Sequence, residues 1–283
     1  MGGSGSRQDI RDGEVMDLEL TGRRALVTGS SSGIGEATAR MLAEEGARVV
    51  VHGRNRERAE AIAAEIGAAG VAIGELSTDE VAASVHAEAV AALGGNIEIL
   101  INNAGGSQTG NSATPPAQIT AEQFSTNYHA NTLPAVRLCR LSLPDMIANK
   151  FGRIINVSSA VAMQPNNLGT DYSAAKAALQ NYTVSLAGSL KGVGVTANIL
   201  TPGVVLADGL LRFGRKKYDK PDITFDELNE KFVEQKVFDV PPVGRFGLTR
   251  DLAIVACMLA SPLSGYITGA NYRVDGGQAR GLN

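Results

Sequence analysis

Short apolar, β-branched runs alternate along this chain with longer segments of helical period, and nothing else in the sequence limits the fold so much. Arg24–Thr28, Arg48–Val51, Ile97–Ile101, Arg153–Val157, Val195–Leu200 and Ala270–Val274 read as strands, with Val71–Gly74 a weaker seventh. Most are apolar at nearly every position, the pattern of strands covered on both faces. Between them, about Gly33–Glu45, Arg56–Ile66, Thr78–Leu93, Ala121–Ala148, Tyr172–Lys191 and Thr249–Leu259 read as helices. Ser77-Thr78-Asp79-Glu80 and Thr120-Ala121-Glu122-Gln123 carry N-terminal capping signals. Strands joined through helices require right-handed crossovers, so the spacing predicts an α/β fold with one doubly wound parallel sheet of about seven strands.

The 283 residues divide unevenly. Residues 1–15 have a Gly/Ser-rich start and read as a flexible tail or a cloning remnant. Residues 16–283 read as a single domain. Within it, 208–243 breaks the rhythm, with Pro221, Pro241 and Pro242 and no strand pattern. A short helix over about Thr224–Val237 is expected there, and an insertion of this length before the last helix reads as a substrate lid.

Composition excludes several roles. Lys plus Arg number 26 against 29 Asp plus Glu, for a net charge of −3, and Trp is absent. Neither the basic surplus nor the stacking platform of a nucleic-acid binder is present. No apolar run approaches a bilayer span. The three histidines, 52, 86 and 129, are scattered, and no metal site is expected. Cys139 and Cys257 sit in apolar patterns and read as buried thiols of a reducing, cytoplasmic protein.

The first strand ends in Thr28-Gly29-Ser30-Ser31-Ser32-Gly33-Ile34-Gly35. Gly29 permits a tight turn, Gly33 close backbone approach by a pyrophosphate, and Gly35 the packing of helix on sheet. The helix then aims its first N–H groups at the phosphates, so Ser31, Ser32 and Ile34 join the glycines as expected contacts. About 20 residues on, an acid would hold the ribose 2′-hydroxyl of NAD. The chain instead reads Val51-His52-Gly53-Arg54-Asn55-Arg56. Arg54 stands where a 2′-phosphate would lie, and a guanidinium fits that group bidentately, so NADP(H) is the expected cofactor. The competing reading makes Arg54 and Arg56 solvated charges at a helix start.

Together with Asn102-Asn103-Ala104-Gly105, Ser159, Tyr172-Ser173-Ala174-Ala175-Lys176 and Pro202-Gly203, this turn resembles the classical short-chain dehydrogenase/reductase family. The matches run in family order from about Leu20 to Gly277 and resemble 3-oxoacyl-carrier-protein reductases and broad-specificity ketone reductases most. The resemblance implies a Rossmann-like domain, a small-molecule carbonyl or alcohol substrate, and a homotetramer or homodimer built on the long helices and the last strand.

Residue chemistry supports the same site. Tyr172 and Lys176, at i and i+4, share a helix face. A tyrosine hydroxyl has a pKa near 10, and a nearby ammonium with the oxidised nicotinamide favours its phenolate. Tyr172 is therefore the expected general acid and base. By resemblance, Lys176 also holds the nicotinamide ribose. Ser159, 13 residues before Tyr172, is placed to hydrogen-bond the substrate carbonyl oxygen, with Ser158 as the rival register. The resemblance gives Asn131 a helix kink and a water that relays protons, with Asn127 as its rival. Asn103, Ala104 and Gly105 should tie the central strands and face the adenosine ribose. Glu75 and Leu76 should border the adenine, although a solvated loop charge is an equal reading of Glu75. Pro202, Gly203 and the Val205 backbone should meet the nicotinamide carboxamide. Ala207 stands where the family commonly has threonine, which removes one expected cofactor contact. The alternative function is a non-catalytic dinucleotide-binding regulator on the same fold.

Overall fold

A computed structural model describes residues 17–106, 115–165 and 169–280. The tail read over residues 1–15 lies outside the described residues. Seven parallel strands form one sheet: β1 (Arg24–Val27), β2 (Arg48–Gly53), β3 (Gly70–Ile73), β4 (Ile99–Asn102), β5 (Gly152–Val157), β6 (Val195–Pro202) and, last in the chain, β9 (Asn271–Val274). A separate two-stranded ribbon pairs β7 (Val205–Leu206) with β8 (Gly247–Leu248). The order in the main sheet is β3-β2-β1-β4-β5-β6-β9, so connections reverse direction between β1 and β4.

Burial follows position. β5 and β6 are buried at every residue, whereas the edge strands β3 and β9 are mostly half-exposed. Helices α1 (Gly33–Glu44) and α9 (Thr249–Ala260) cover one face, where Leu42, Leu252 and Leu259 pack on Val49, Ile99 and Ile155. Helix α2 (Arg56–Glu65) closes the β2–β3 end of that face through Ala59 and Ile62. The other face is covered by α3 (Asp79–Leu93), α5 (Leu133–Ala148) and α6 (Thr170–Ser189), through residues such as Val85, Leu138 and Leu186. Thr78 and Thr120 cap helices as the sequence predicts, Thr120 with a reciprocal bond from Gln123.

Two helical readings need correction. The segment read as one helix over Ala121–Ala148 is two, α4 (Ala121–Asn131) and α5, parted at Thr132. Pro134 has no N–H to continue the ladder, and the Thr132 hydroxyl donates instead to the Ala175 carbonyl at 2.8 Å. The insertion holds two helices rather than one, α7 (Asp208–Tyr218) and α8 (Phe225–Glu234). Helix α7 escaped the periodicity because Gly214 sits in its apolar stripe. A Cβ at Gly214 would lie 2.3 Å from Leu228 Cδ1, so the glycine marks contact with α8 rather than a turn. Phe232, Phe246, Leu228, Ile223 and Leu206 make a small core of their own. Phe232 lies at its centre, with the rings of Phe238 and Phe246 edge-on at 5.4 and 6.0 Å.

Both cysteines are free and buried. Among the described residues no helix is long and apolar enough to cross a membrane, and no His, Cys, Asp and Glu cluster could hold a metal ion.

Candidate active site

Open parallel sheets leave a crevice at the carboxyl ends of the strands where the connections reverse. In this chain a cleft of about 870 Å³ opens there. Its walls come from the loops after β1 to β6, so residues far apart in sequence converge because their strands are neighbours.

The turn after β1 is pinned from behind. Thr28 Oγ1 accepts from the backbone N–H groups of Asn103 and Ala104, both at 2.9 Å. Asn103 Nδ2 donates to the carbonyls of Thr28 and Gly29 at 3.0 and 3.2 Å. Asparagine at the end of β4 thus ties the central strands, as expected. Gly29 and Gly33 hold φ of +64° and +63°, a region that favours glycine. Gly35 is required for a different reason: a Cβ there would stand 2.4 Å from both Asn103 Nδ2 and Gly29 O. A Cβ on Gly33 would meet only Ala207, at 3.8 Å, so that side is open. Ser32, the N-cap of α1, makes no side-chain cap bond. A glycine turn beside open space, with uncapped helix N–H groups behind it, fits a pyrophosphate.

Of the cofactor residues read from sequence, Gly29, Ser31, Ser32, Ile34, Arg54, Glu75, Leu76, Asn103, Ala104, Gly105, Tyr172, Lys176, Pro202, Gly203 and Val205 line this one cleft, as does Ser159. Gly33, Gly35 and Asn131 are not wall residues. Arg54 and Glu75 are exposed at the outer end and face each other at 3.3 Å, with side chains 72% and 64% accessible. Arg58 at the start of α2 makes an ion pair with Asp208 at the start of α7, bridging the nucleotide half and the insertion.

At the inner end, Tyr172 and Lys176 lie on one face of α6, with Nζ 6.0 Å from the Tyr172 ring centroid. Lys176 is buried and donates to the Val157 carbonyl at 2.8 Å, and burial pushes its pKa down to about 8. Burial raises the pKa of the Tyr172 hydroxyl, and a hydrogen bond with Ser159 partly offsets this. Desolvation of the phenolate sets that direction in the protein by itself, whereas the expected lowering draws on the oxidised nicotinamide together with Lys176. Ser159 follows β5 and its hydroxyl hydrogen-bonds the Tyr172 hydroxyl, whereas Ser158, also on the cleft wall, donates to the Lys176 carbonyl at 3.2 Å.

Asn131 stands behind the wall, 2% exposed, at the end of α4. Its Oδ1 accepts from Gly106 N at 2.8 Å, and its Nδ2 donates to the carbonyls of Gly106 and Asn127, both at 3.0 Å. A Cβ on Gly105 would lie 2.6 Å from Asn131 Oδ1 and 3.3 Å from Lys176 Nζ, so the polar ends of both side chains flank that glycine. Asn127 is used elsewhere, donating to Asp171 Oδ2 at 2.6 Å.

Sequence reasoning missed several wall residues. Ser125, Thr126, His129 and Ala130 form a strip along α4, and His52 lies between the glycine turn and the end of β3. The i, i+1, i+4, i+5 spacing of the α4 strip was readable, but any polar helix face shows it. The basic residues Arg212, Arg215, Lys216 and Lys217 are exposed on α7, while Lys220 pairs with Glu227 at 2.6 Å.

Residues 23–216 match the family described as short chain dehydrogenase. The chain is 32% identical over 271 residues to an uncharacterized oxidoreductase of Bacillus subtilis (strain 168), covering 94% of this chain and 100% of the relative. It is 34% identical over 263 residues to a 3-oxoacyl-[acyl-carrier-protein] reductase of Rickettsia prowazekii (strain Madrid E), covering 92% and 98%. Among solved structures, L-sorbose reductase from Gluconobacter frateurii, complexed with NADPH and L-sorbose, superposes with a TM-score of 0.84 at 29% identity, covering 94% of this chain and 100% of that one.

Proposed function

Since the chain belongs to the short chain dehydrogenase family, we propose that it is an NADPH-dependent reductase of a ketone or aldehyde, reversible as an alcohol dehydrogenase. The family makes it an oxidoreductase acting between C=O and CH–OH groups. The observation that carries the finer reading is the Ser159–Tyr172 hydroxyl pair beside buried Lys176, at the inner end of the glycine-turn cleft.

Two hydroxyls that share one hydrogen bond can converge on one carbonyl oxygen. Ser159 donates to that oxygen as negative charge develops, and Tyr172 transfers its proton there. Lys176, close to its neutral point, favours the resulting phenolate and exchanges protons with it. Asn131, flanking Gly105 together with Lys176, is the next polar group along that path. The cofactor supplies the hydride when bound. Gly29–Gly35 would hold its pyrophosphate, Glu75, Leu76 and Asn103 its adenosine, Arg54 its 2′-phosphate, and Pro202, Gly203 and Val205 its carboxamide. The α7–α8 insertion is the substrate lid. A homotetramer or homodimer built on the long helices would bury exposed Phe124 and Tyr128 on α4 and Val184 on α6.

Tyr172→Phe tests the mechanism. It removes the hydroxyl and keeps the ring, so kcat should fall about 100-fold or more. NADPH binding, followed by fluorescence, should survive. Near-normal turnover would remove Tyr172 from proton transfer.

A further inference from the structure

His52 is the penultimate residue of β2, and nothing in its sequence surroundings marks it. It is 3% exposed, yet it forms part of the cleft wall. Its backbone is already fixed. Ser30 N donates to the His52 carbonyl and His52 N donates to Ser30 Oγ, both at 2.9 Å.

The ring adds a second connection. Gly29 N lies 3.0 Å from Nδ1, and a backbone N–H can only donate, so Nδ1 accepts and carries no proton. Nε2 lies 3.1 Å from the Gly74 carbonyl, which can only accept, so Nε2 carries the proton. The contacts therefore select one neutral tautomer. They also pin the Thr28–Gly29 peptide at both ends: its N–H goes to His52 and its carbonyl to Asn103 Nδ2. On the other side, Gly74 directly precedes Glu75 and Leu76 of the outer wall. The imidazole is thus a strut of fixed length between the glycine turn and the wall after β3.

We infer that His52 is a positioning residue for the dinucleotide, setting the spacing between the turn that takes the pyrophosphate and the wall that takes the adenine. The inference rests on the cofactor reading above. A planar ring with an acceptor at one end and a donor at the other meets both requirements at once. Asparagine places its amide near the Nδ1 position and can serve Gly29 alone. Glutamine reaches the Nε2 position and can serve Gly74 alone. Leucine fills the space and serves neither.

Calorimetric titration with NADP⁺, which needs no turnover, reads the effect directly. Affinity should fall in the order wild type, His52→Asn, His52→Gln, His52→Leu. Loss of both ring contacts should weaken binding about 10-fold, each neutral hydrogen bond contributing about 0.5–1.5 kcal/mol. NADH should lose the same factor, because the 2′-phosphate plays no part. At saturating NADPH and substrate, kcat should stay within about twofold of wild type, since a mispositioned adenosine is overcome by mass action. A merely structural histidine would lower kcat and folded fraction together and leave the Kd of the folded fraction unmoved. Variants that are folded by circular dichroism and bind NADP⁺ within about twofold of wild type would overturn the inference. So would a loss confined to kcat. Should His52→Leu not fold, the asparagine and glutamine variants decide. Failure of the wild type to bind NADP⁺ would instead overturn the cofactor reading, and this inference with it.

Discussion

Arg54→Ala separates recognition of the 2′-phosphate from the architecture around it. Among the described residues, the Arg54 guanidinium pairs with Glu75 at 3.3 Å, and both side chains are mostly in solvent. An exposed ion pair of this kind contributes about 0–1 kcal/mol, so its loss should leave stability almost unchanged. Pairing with a phosphate dianion is stronger, about 1.5–3 kcal/mol for a charge-assisted bond. Exposure at the cleft mouth favours the lower end. Arg54→Ala should therefore weaken NADPH about 10-fold, leave NADH unchanged, and shift the melting temperature by roughly 2 °C at most. Glu75→Gln is the complementary change. It removes the anion that competes for Arg54 and should tighten NADPH by roughly two- to fivefold, the worth of an exposed pair. The assay is kcat/KM for both cofactors with one carbonyl substrate, and the readout is their ratio. Equal losses with NADPH and NADH in Arg54→Ala would show a structural role and remove the main support for NADP. Weaker NADPH binding in Glu75→Gln would show that the carboxylate orients Arg54 rather than competes for it.

Two further outcomes follow from local geometry. Ala207 is the N-cap of α7, lines the cleft and makes no side-chain cap bond, so Ala207→Thr should raise the melting temperature by roughly 2–4 °C through about 1 kcal/mol of capping. The same variant should bind NADPH about 2- to 10-fold more tightly if its hydroxyl reaches the carboxamide; titration and thermal melts together check it, and no change in either sinks the argument. Burial pushes the His52 pKa down from 6.5 to about 4, so between those values the unfolded chain binds a proton that the folded one refuses. Stability should be unaffected above pH 6.5 and should fall by about 3 kcal/mol as pH drops to 4, a loss absent in His52→Asn; parallel melting curves of the two proteins across that window would refute it.

Much of the site was legible because its chemistry is local. The glycines of Thr28–Gly35 act within one turn, and Tyr172 and Lys176 act across one turn of one helix, so short motifs carry them and their order along the chain makes the family resemblance specific. The parallel sheet needed no register information, since it follows from alternating elements. What stayed hidden depends on contacts between distant segments. The partners of His52 are 23 and 22 residues away, and either is a bare backbone group that no side-chain pattern announces. The break between α4 and α5 turns on a threonine hydroxyl that bonds Ala175, 43 residues on. Helix α7 was masked by a glycine whose reason is Leu228 of α8. The burial that raises Tyr172 was not legible either, because burial is a property of the assembled wall, whereas the Tyr–Lys spacing is a property of the helix.

The phenylalanine core beneath α7 and α8 has a mechanical consequence. With Phe232 packed among Phe213, Tyr218, Phe238 and Phe246, the insertion proposed as a lid would move as a stiff plate, not as a string of loose residues. A disordered loop closing over a ligand would lose about 1–2 kcal/mol of backbone entropy for each residue it orders. A plate has lost that entropy already, at folding, and its closure costs only the torsions of its two hinges. One hinge would be at Ala207 and the other at Gly244, which holds a φ of +82° with nothing close to the place of a Cβ. The Arg58–Asp208 bridge sits beside the first hinge. Its exposed charges are screened by salt, so ionic strength would be the handle on how readily such a plate swings.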